Sequence, residues 1–270
     1  MTSRSCGPRG IDALRPKRGA GPSRAALPAL DPRPSVIRTR LSRIKRIIAV
    51  TGWKGGIGKS VTASTLALLL SKKGFGTGLL DLDFAGASDH VVLGADGVFP
   101  KERLGLEPPV VSGVKFMSVS FFSKNKAVPL RGANVSDAVI EMLAVTQWGE
   151  LDFLVIDMPP GINDTALDVI RLLPRTEVLA VTTPSVLAHS VLDRSIELYN
   201  NLNIPLLGVI ENMSGRAGVR SARASGRLRY DAGLEKALGK PAKMLKTKFA
   251  ADLGRIAGSL LRRPAGPARN

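Results

Sequence analysis

The chain has 270 residues and a mass of 28.6 kDa, enough for one large α/β domain or two small ones with a sizeable core. A single cysteine, Cys6, excludes an intrachain disulfide framework and any metal site built from several cysteines of one chain; two histidines, His90 and His189, offer little to a zinc site or a Ser/His/Asp hydrolase; and 4% aromatic residues leave the core to Val, Ile, Leu and Ala. The net charge of +17 sits at the ends: residues 1–46 hold 12 Lys or Arg against two acids, residues 216–270 hold 14 against three, and the middle is mildly acidic.

Residues 1–43 read as a disordered basic arm, because Pro8, Pro16, Pro22, Pro28, Pro32 and Pro34 interrupt any helical or alternating apolar pattern. A transit peptide or a mis-assigned start are the alternatives. The pattern changes at Ile44. Ile47 to Val50 form a short continuous apolar run, as expected of a strand buried on both faces. A Gly-rich turn follows, then a helix over 60–73 with Leu66, Leu68, Leu69 and Leu70, ended by Gly74 and Gly76. Further strands are expected at 78–82, 114–119, 153–156, 177–181 and 206–210, with helices around 135–145 and 186–200. This alternation predicts one doubly wound α/β domain over 44–261 with a mainly parallel sheet, followed by a basic tail at 262–270. Between Ala232 and Leu261 apolar residues recur at helical spacing, as in Phe249, Leu253, Ile256 and Leu260. They read as a C-terminal helix packed on the sheet, or as a basic amphipathic helix that meets a membrane. No apolar run approaches the ~20 residues of a membrane span, and no apolar signal segment follows Met1, so the chain reads as soluble and cytoplasmic.

The chemistry concentrates in Gly52-Trp53-Lys54-Gly55-Gly56-Ile57-Gly58-Lys59-Ser60, between a buried strand and a helix. Glycines let successive backbone N–H groups point at phosphate oxygens, and the helix N-terminus adds its partial positive charge. Lys59 is placed to reach the outer phosphates and the Ser60 hydroxyl to ligate Mg²⁺. The strict phosphate-loop pattern wants glycine where Trp53 stands, so the loop entry is expected to be altered, while the cradle of Gly55, Gly56, Ile57, Gly58, Lys59, Ser60 and Val61 is intact. Asp81, Asp83, Asp157 and Asn212 all fall at or just beyond the carboxyl ends of predicted strands, where ligands sit in an open parallel sheet. Asp157 ends a buried strand, where a carboxylate is costly unless it serves a cation such as Mg²⁺.

The second lysine of Lys54-Gly55-Gly56-Ile57-Gly58-Lys59-Ser60 resembles the deviant Walker A loop of the MinD, ParA and Mrp ATPases. Leu79 to Ser88 is similar to the aspartate-rich switch segment of Mrp-type proteins, Trp148 to Gly161 to their Walker B strand with its Pro-Pro-Gly exit, and Leu206 to Gly215 to the strand and loop that meet the nucleotide base. With Thr182-Thr183-Pro184, these matches run in order over about two-thirds of the chain. The resemblance implies an ATPase with ATP and Mg²⁺ as cofactors and a nucleotide-bridged homodimer. Lys54 then reaches across to the partner's phosphates, Lys59 binds the chain's own, and Asp83 orients the attacking water. Ser60, Asp81 and Asp157 serve the magnesium, and Asn212 serves the adenine edge.

One departure limits that carry-over. Mrp-type proteins that carry iron–sulfur clusters usually place Cys-x-x-Cys after the Asn-Met-Ser segment, whereas here Gly215 to Ser221 contains no cysteine. The expectation is therefore a slow, Mg-dependent ATPase and dimeric switch that assists iron–sulfur assembly with a protein partner and holds no Cys-ligated cluster itself. The alternative is a ParA-like or MinD-like positioning ATPase whose basic ends bind nucleic acid or anionic membrane. A third reading, a non-hydrolysing nucleotide sensor, rests on Trp53 alone. His90 and His189 are expected in surface or structural roles.

Overall fold

Strand β1 (Ile44–Thr51) fixes the plan of the molecule. Its residues Ile47 and Ala49 belong to one apolar cluster and Ile48 and Val50 to another, so the strand is covered on both faces. The computed structural model describes residues 31–84, 86–123, 133–161, 164–173, 175–215 and 221–262. Pro32–Asn270 forms one compact unit. Eight strands lie in the order β10-β9-β8-β1-β7-β2-β6-β5. They are β2 (Thr77–Asp81), β5 (Val110–Val111), β6 (Val114–Ser118), β7 (Leu151–Asp157), β8 (Thr176–Thr182), β9 (Leu206–Ser214) and β10 (Gly226–Arg229), with β1. All neighbours are parallel except the short β5–β6 pair, and β3 (Lys101–Glu102) with β4 (Leu106–Glu107) makes a separate antiparallel ribbon.

Helix α2 (Lys59–Lys72) and helix α10 (Lys248–Leu260) cover one face, where Leu66, Leu70 and Leu253 meet Ile48, Val50 and Val155. The other face carries α5 (Ala133–Val145) and α6 (Asp164–Leu172), whose Val139, Leu143 and Val169 pack on Ile47, Leu80 and Leu154. Helix α7 (Val186–Asn201) covers β8 and β9 through Leu192, Ile196 and Tyr199. Short helices α3 (Asp89–Leu93) and α4 (Ser120–Ser123) follow β2 and β6. Each fully buried leucine or isoleucine contributes roughly 1.5–3 kcal/mol, so this two-sided core dominates the stabilisation. Arg46 of β1 adds a buried link: its guanidinium donates to both carboxylate oxygens of Glu177 at 2.8 and 3.0 Å and to the Leu261 carbonyl at 2.9 Å.

The arm boundary placed at residue 43 is corrected for its last part. Residues Arg33–Leu41 form helix α1, which packs on α5 with Ile37 and Leu41 buried. Pro32 and Pro34 do not break it, because they stand at its N-cap and first turn, where a missing N–H costs nothing. The expectation of disorder for residues 1–30 lies outside the described residues, as does most of the 262–270 tail. The C-terminal helix is also shorter than the 232–261 spacing implied. Gly239 and Pro241 split off α8 (Leu234–Ala237) and α9 (Pro241–Met244), and the Thr247 hydroxyl then caps α10 by accepting from the Ala250 N–H at 3.1 Å. Strand β10 is absent from the sequence reading. It has one buried apolar residue, Leu228, between two arginines and so shows no apolar run.

Candidate functional site

The carboxyl ends of β1, β2, β7 and β9 bring the expected residues to one edge of the sheet. Between β1 and α2 the loop turns at Gly56 (φ +77°) and Gly58 (φ +87°), a left-handed conformation that L side chains adopt at a cost. A Cβ on Gly58 would collide with the Asn212 amide nitrogen, and that nitrogen donates to the Ile57 carbonyl at 2.8 Å. Strand β9 therefore clamps the loop. Gly52 supplies the close approach at the loop entry: a Cβ there would strike the Ile57 side chain. Trp53 is not at positive φ, and its ring packs beside Tyr199 with centroids 6.3 Å apart.

The loop opens on a cleft of about 530 Å³. Lys54, Gly55, Gly56, Gly58, Lys59, Ser60, Val61, Asp83 and Asn212 line it, with Lys54 exposed at the rim. Ile57, expected in the cradle through its backbone, turns its side chain into the core. Asn212 lines the cleft and also fastens it: its Oδ1 accepts from the Met213 N–H at 2.8 Å, and its Nδ2 holds the loop. Met213 itself holds φ +58°, and strain of this kind persists where surrounding contacts over-determine it.

Below the cleft floor lie the carboxylates. Parallel register sets Asp81 opposite Asp157, and both are fully buried. Lys59, also buried, reaches Asp157 Oδ1 at 3.6 Å and Asp83 Oδ2 at 3.8 Å. The Ser60 hydroxyl donates to Asp157 Oδ2 at 2.5 Å. Asp81 accepts from the Asp83 N–H and the Ser118 hydroxyl, each at 3.1 Å. Burial, with the charge of Asp157 next in weight, pushes Asp81 up to about 7. Burial likewise raises Asp157 to about 6, against the pull of Lys59.

Two parts of the site have no counterpart in the sequence motifs. Asp89, the first residue of α3, is fully buried and accepts from the Ser64 hydroxyl at 2.5 Å. The far wall of the cleft comes from Arg229 to Leu238, including Tyr230, Asp231 and Leu234. Asp231 holds this wall on α10 by accepting from the Gly233 and Lys248 N–H groups, each at 2.9 Å. His189 takes the structural place expected of it, 3.6 Å from the buried Glu211 carboxylate, which also accepts from the Ser221 N–H and the Arg227 guanidinium.

A family model described as NUBPL iron-transfer P-loop NTPase, of the ParA group, matches residues 43–238. The chain belongs to that family. Among relatives of this P-loop NTPase, an iron–sulfur cluster carrier protein of Pseudomonas fragi is 41% identical over 178 residues, 64% of this chain and 62% of the relative. A chloroplastic Fe-S cluster assembly factor of Arabidopsis thaliana is 38% identical over 176 residues, 64% of this chain but 33% of the relative. The NTPase chain thus spans less than two-thirds of the curated relatives it matches. Among solved structures, a nucleotide-binding protein of Archaeoglobus fulgidus in complex with ADP is 29% identical with a TM-score of 0.64, covering 86% of this chain and 94% of that one. The cell division ATPase MinD of Pyrococcus furiosus, 20% identical with a TM-score of 0.62, covers 81% and 99% and shares the fold. The Mrp-type resemblance and the doubly wound α/β architecture are both borne out.

Proposed function

We propose that the chain binds ATP with Mg²⁺ in the cleft between the 52–58 loop and the 229–238 wall, hydrolyses it slowly, and acts as a nucleotide-driven dimeric switch in iron–sulfur cluster assembly. The observation that carries this reading is the buried Lys59 ammonium at the loop's end, held 3.6 Å from Asp157 and 3.8 Å from Asp83 beneath a cleft of matching polarity. Backbone amides of Gly55 to Val61 and the N-terminus of α2 face the phosphates. Lys59 exchanges its carboxylate partners for phosphate oxygens when nucleotide enters.

Asp157 Oδ1, whose partner among the described residues is the Lys59 ammonium at 3.6 Å, offers with the Ser60 hydroxyl the hard oxygen set that Mg²⁺ prefers. Bound there, the ion would neutralise charge on the phosphates. Asp83 stands at the cleft edge with Oδ1 accepting from the Gly86 N–H at 3.0 Å, a placement suited to orienting a water. Lys54, exposed at the rim, is suited to reaching a partner's nucleotide. With Cys6 the sole cysteine, the role is assistance to an assembly protein rather than Cys-ligated carriage of a cluster. Calorimetry of Lys59→Ala with ATP and Mg²⁺ tests the site: binding should be lost, and micromolar binding retained by the variant would refute it.

A second reading is favoured by one surface. Lys236, Lys243, Lys246 and Lys248, all exposed, ring a concavity of about 400 Å³ that shares Asp231 with the nucleotide cleft. A polyanion held there would be read in the manner of a positioning ATPase.

A further inference from the structure

The buried carboxylates beneath the cleft outnumber the charges that balance them. Asp81, Asp89 and Asp157 are all fully buried, and one oxygen from each lies within 4.8 Å of the others. Among the described residues, the ammonium in salt-bridge reach of this trio is that of Lys59, which is shared between Asp157 and Asp83. Both oxygens of Asp81 accept hydrogen bonds, from the Asp83 N–H and the Ser118 hydroxyl. Asp157 Oδ2 is satisfied by Ser60 and Asp89 Oδ1 by Ser64, which leaves Asp157 Oδ1 with the Lys59 ammonium at 3.6 Å and Asp89 Oδ2 buried with no hydrogen-bond donor among the described residues. A buried carboxylate oxygen without a donor is costly, and a cation is one way to satisfy several at once.

We propose that Asp89, together with Asp157 and Asp81, ligates a divalent metal ion in the nucleotide-free chain. The all-carboxylate donor set selects a hard cation such as Mg²⁺, Mn²⁺ or Ca²⁺. Oxygens around such an ion, bonded at about 2.1 Å, stand roughly 3 Å apart when adjacent and about 4.2 Å when opposite, so the cluster closes on an ion with a small contraction. Asp89 is the new member. It comes from the start of α3, outside the phosphate loop and outside the strand ends that carry Asp81 and Asp157, and it faces them through its bond to Ser64 on α2. This deepens the nucleotide-site reading: an ion already seated below Ser60 is in place when phosphates arrive.

The test uses the full chain, stripped with EDTA, freed of chelator and nucleotide, and titrated with MnCl₂ while free Mn²⁺ is followed by electron paramagnetic resonance. One Mn²⁺ per chain is expected, displaced by Mg²⁺, with the thermal midpoint rising as Mn²⁺ is added. Asp89→Asn, checked for cooperative unfolding in EDTA, should bind Mn²⁺ at least tenfold more weakly and lose the metal-dependent thermal shift. Ser64→Ala, which keeps the carboxylate but removes the hydroxyl that orients it, should weaken Mn²⁺ at least threefold. Absence of Mn²⁺ binding by the nucleotide-free wild type at millimolar metal, or equal binding by Asp89→Asn or Ser64→Ala, would overturn the proposal and leave Asp89 a protonated core acid. ADP binding by the wild type in EDTA separates the two readings, because it tests the phosphate loop without any metal.

Discussion

Lys54 and Lys59 differ by environment more than by chemistry. Lys59 is buried between two carboxylates, whereas Lys54 stands exposed at the cleft rim, five residues earlier on a loop fastened at Gly52 and Gly58. On the proposed reading, Lys54 meets the phosphates bound by a second molecule. Lys54→Ala is therefore expected to keep ATP affinity within about threefold while losing hydrolysis and the ATP-dependent rise in mass seen by light scattering. An unchanged turnover rate would make it a surface residue. The two lysines and Ser60 were legible in the sequence because a phosphate cradle fixes them at set spacings along one strand, turn and helix, and Asp81, Asp83 and Asp157 because they stand at or just beyond the carboxyl ends of apolar strands. Asp89 and Tyr230 were not, because they reach the site only through tertiary packing. Asn212 was legible as a motif, but its bond to the Ile57 carbonyl was not, since that depends on how closely β9 approaches Gly58.

At the scale of elements, the long strands and helices α2, α5, α7 and α10 of the core were readable from apolar runs, whereas α6 was not, and α1 and β10 were hidden by prolines and arginines. The far wall of the cleft depends on β10 holding to α10. Asp252 of α10, 2% exposed, accepts from Arg229 Nε at 2.8 Å, from its Nη2 at 2.9 Å and from its backbone N–H at 3.2 Å, and Arg255 adds a further contact. The Arg229 hydrogen bonds lead in holding this carboxyl down to about 2. A carboxyl lowered on folding contributes stability that is fully present above its unfolded range and is lost as pH falls through the folded value. Asp252→Asn should cost about 1 kcal/mol at pH 7, a modest figure because both arginines are solvent-screened. The urea-midpoint difference from wild type should shrink between pH 4 and pH 2. A pH-independent difference would assign the loss to packing instead.

Along the sequence the excess of basic residues falls at the two ends, with 12 Lys or Arg in residues 1–46 and 14 in residues 216–270. The C-terminal set includes Lys236, Lys243, Lys246 and Lys248 around their shared concavity; the N-terminal set begins with the six Lys or Arg of residues 1–30. Because α1 packs on α5, a truncation that tests the arm must stop before Pro32; removing residues 1–30 deletes none of the nucleotide residues. If these ends bind duplex DNA, log affinity falls linearly with log salt, with a slope of about −0.9 for each phosphate neutralised. The chain lacking residues 1–30 should bind ATP as the full chain does, yet hold DNA more weakly and with a shallower slope. Substituting the four lysines with alanine should reduce the slope again, by about 0.9 for each lysine that meets a phosphate, because charge neutralisation rather than base contact sets the affinity. Fluorescence anisotropy across a salt series, with and without ATP, measures both slopes. If the full chain binds no DNA at low salt in either state, the basic ends are solvated surface, and the positioning-ATPase reading falls in favour of a switch whose partner is a protein.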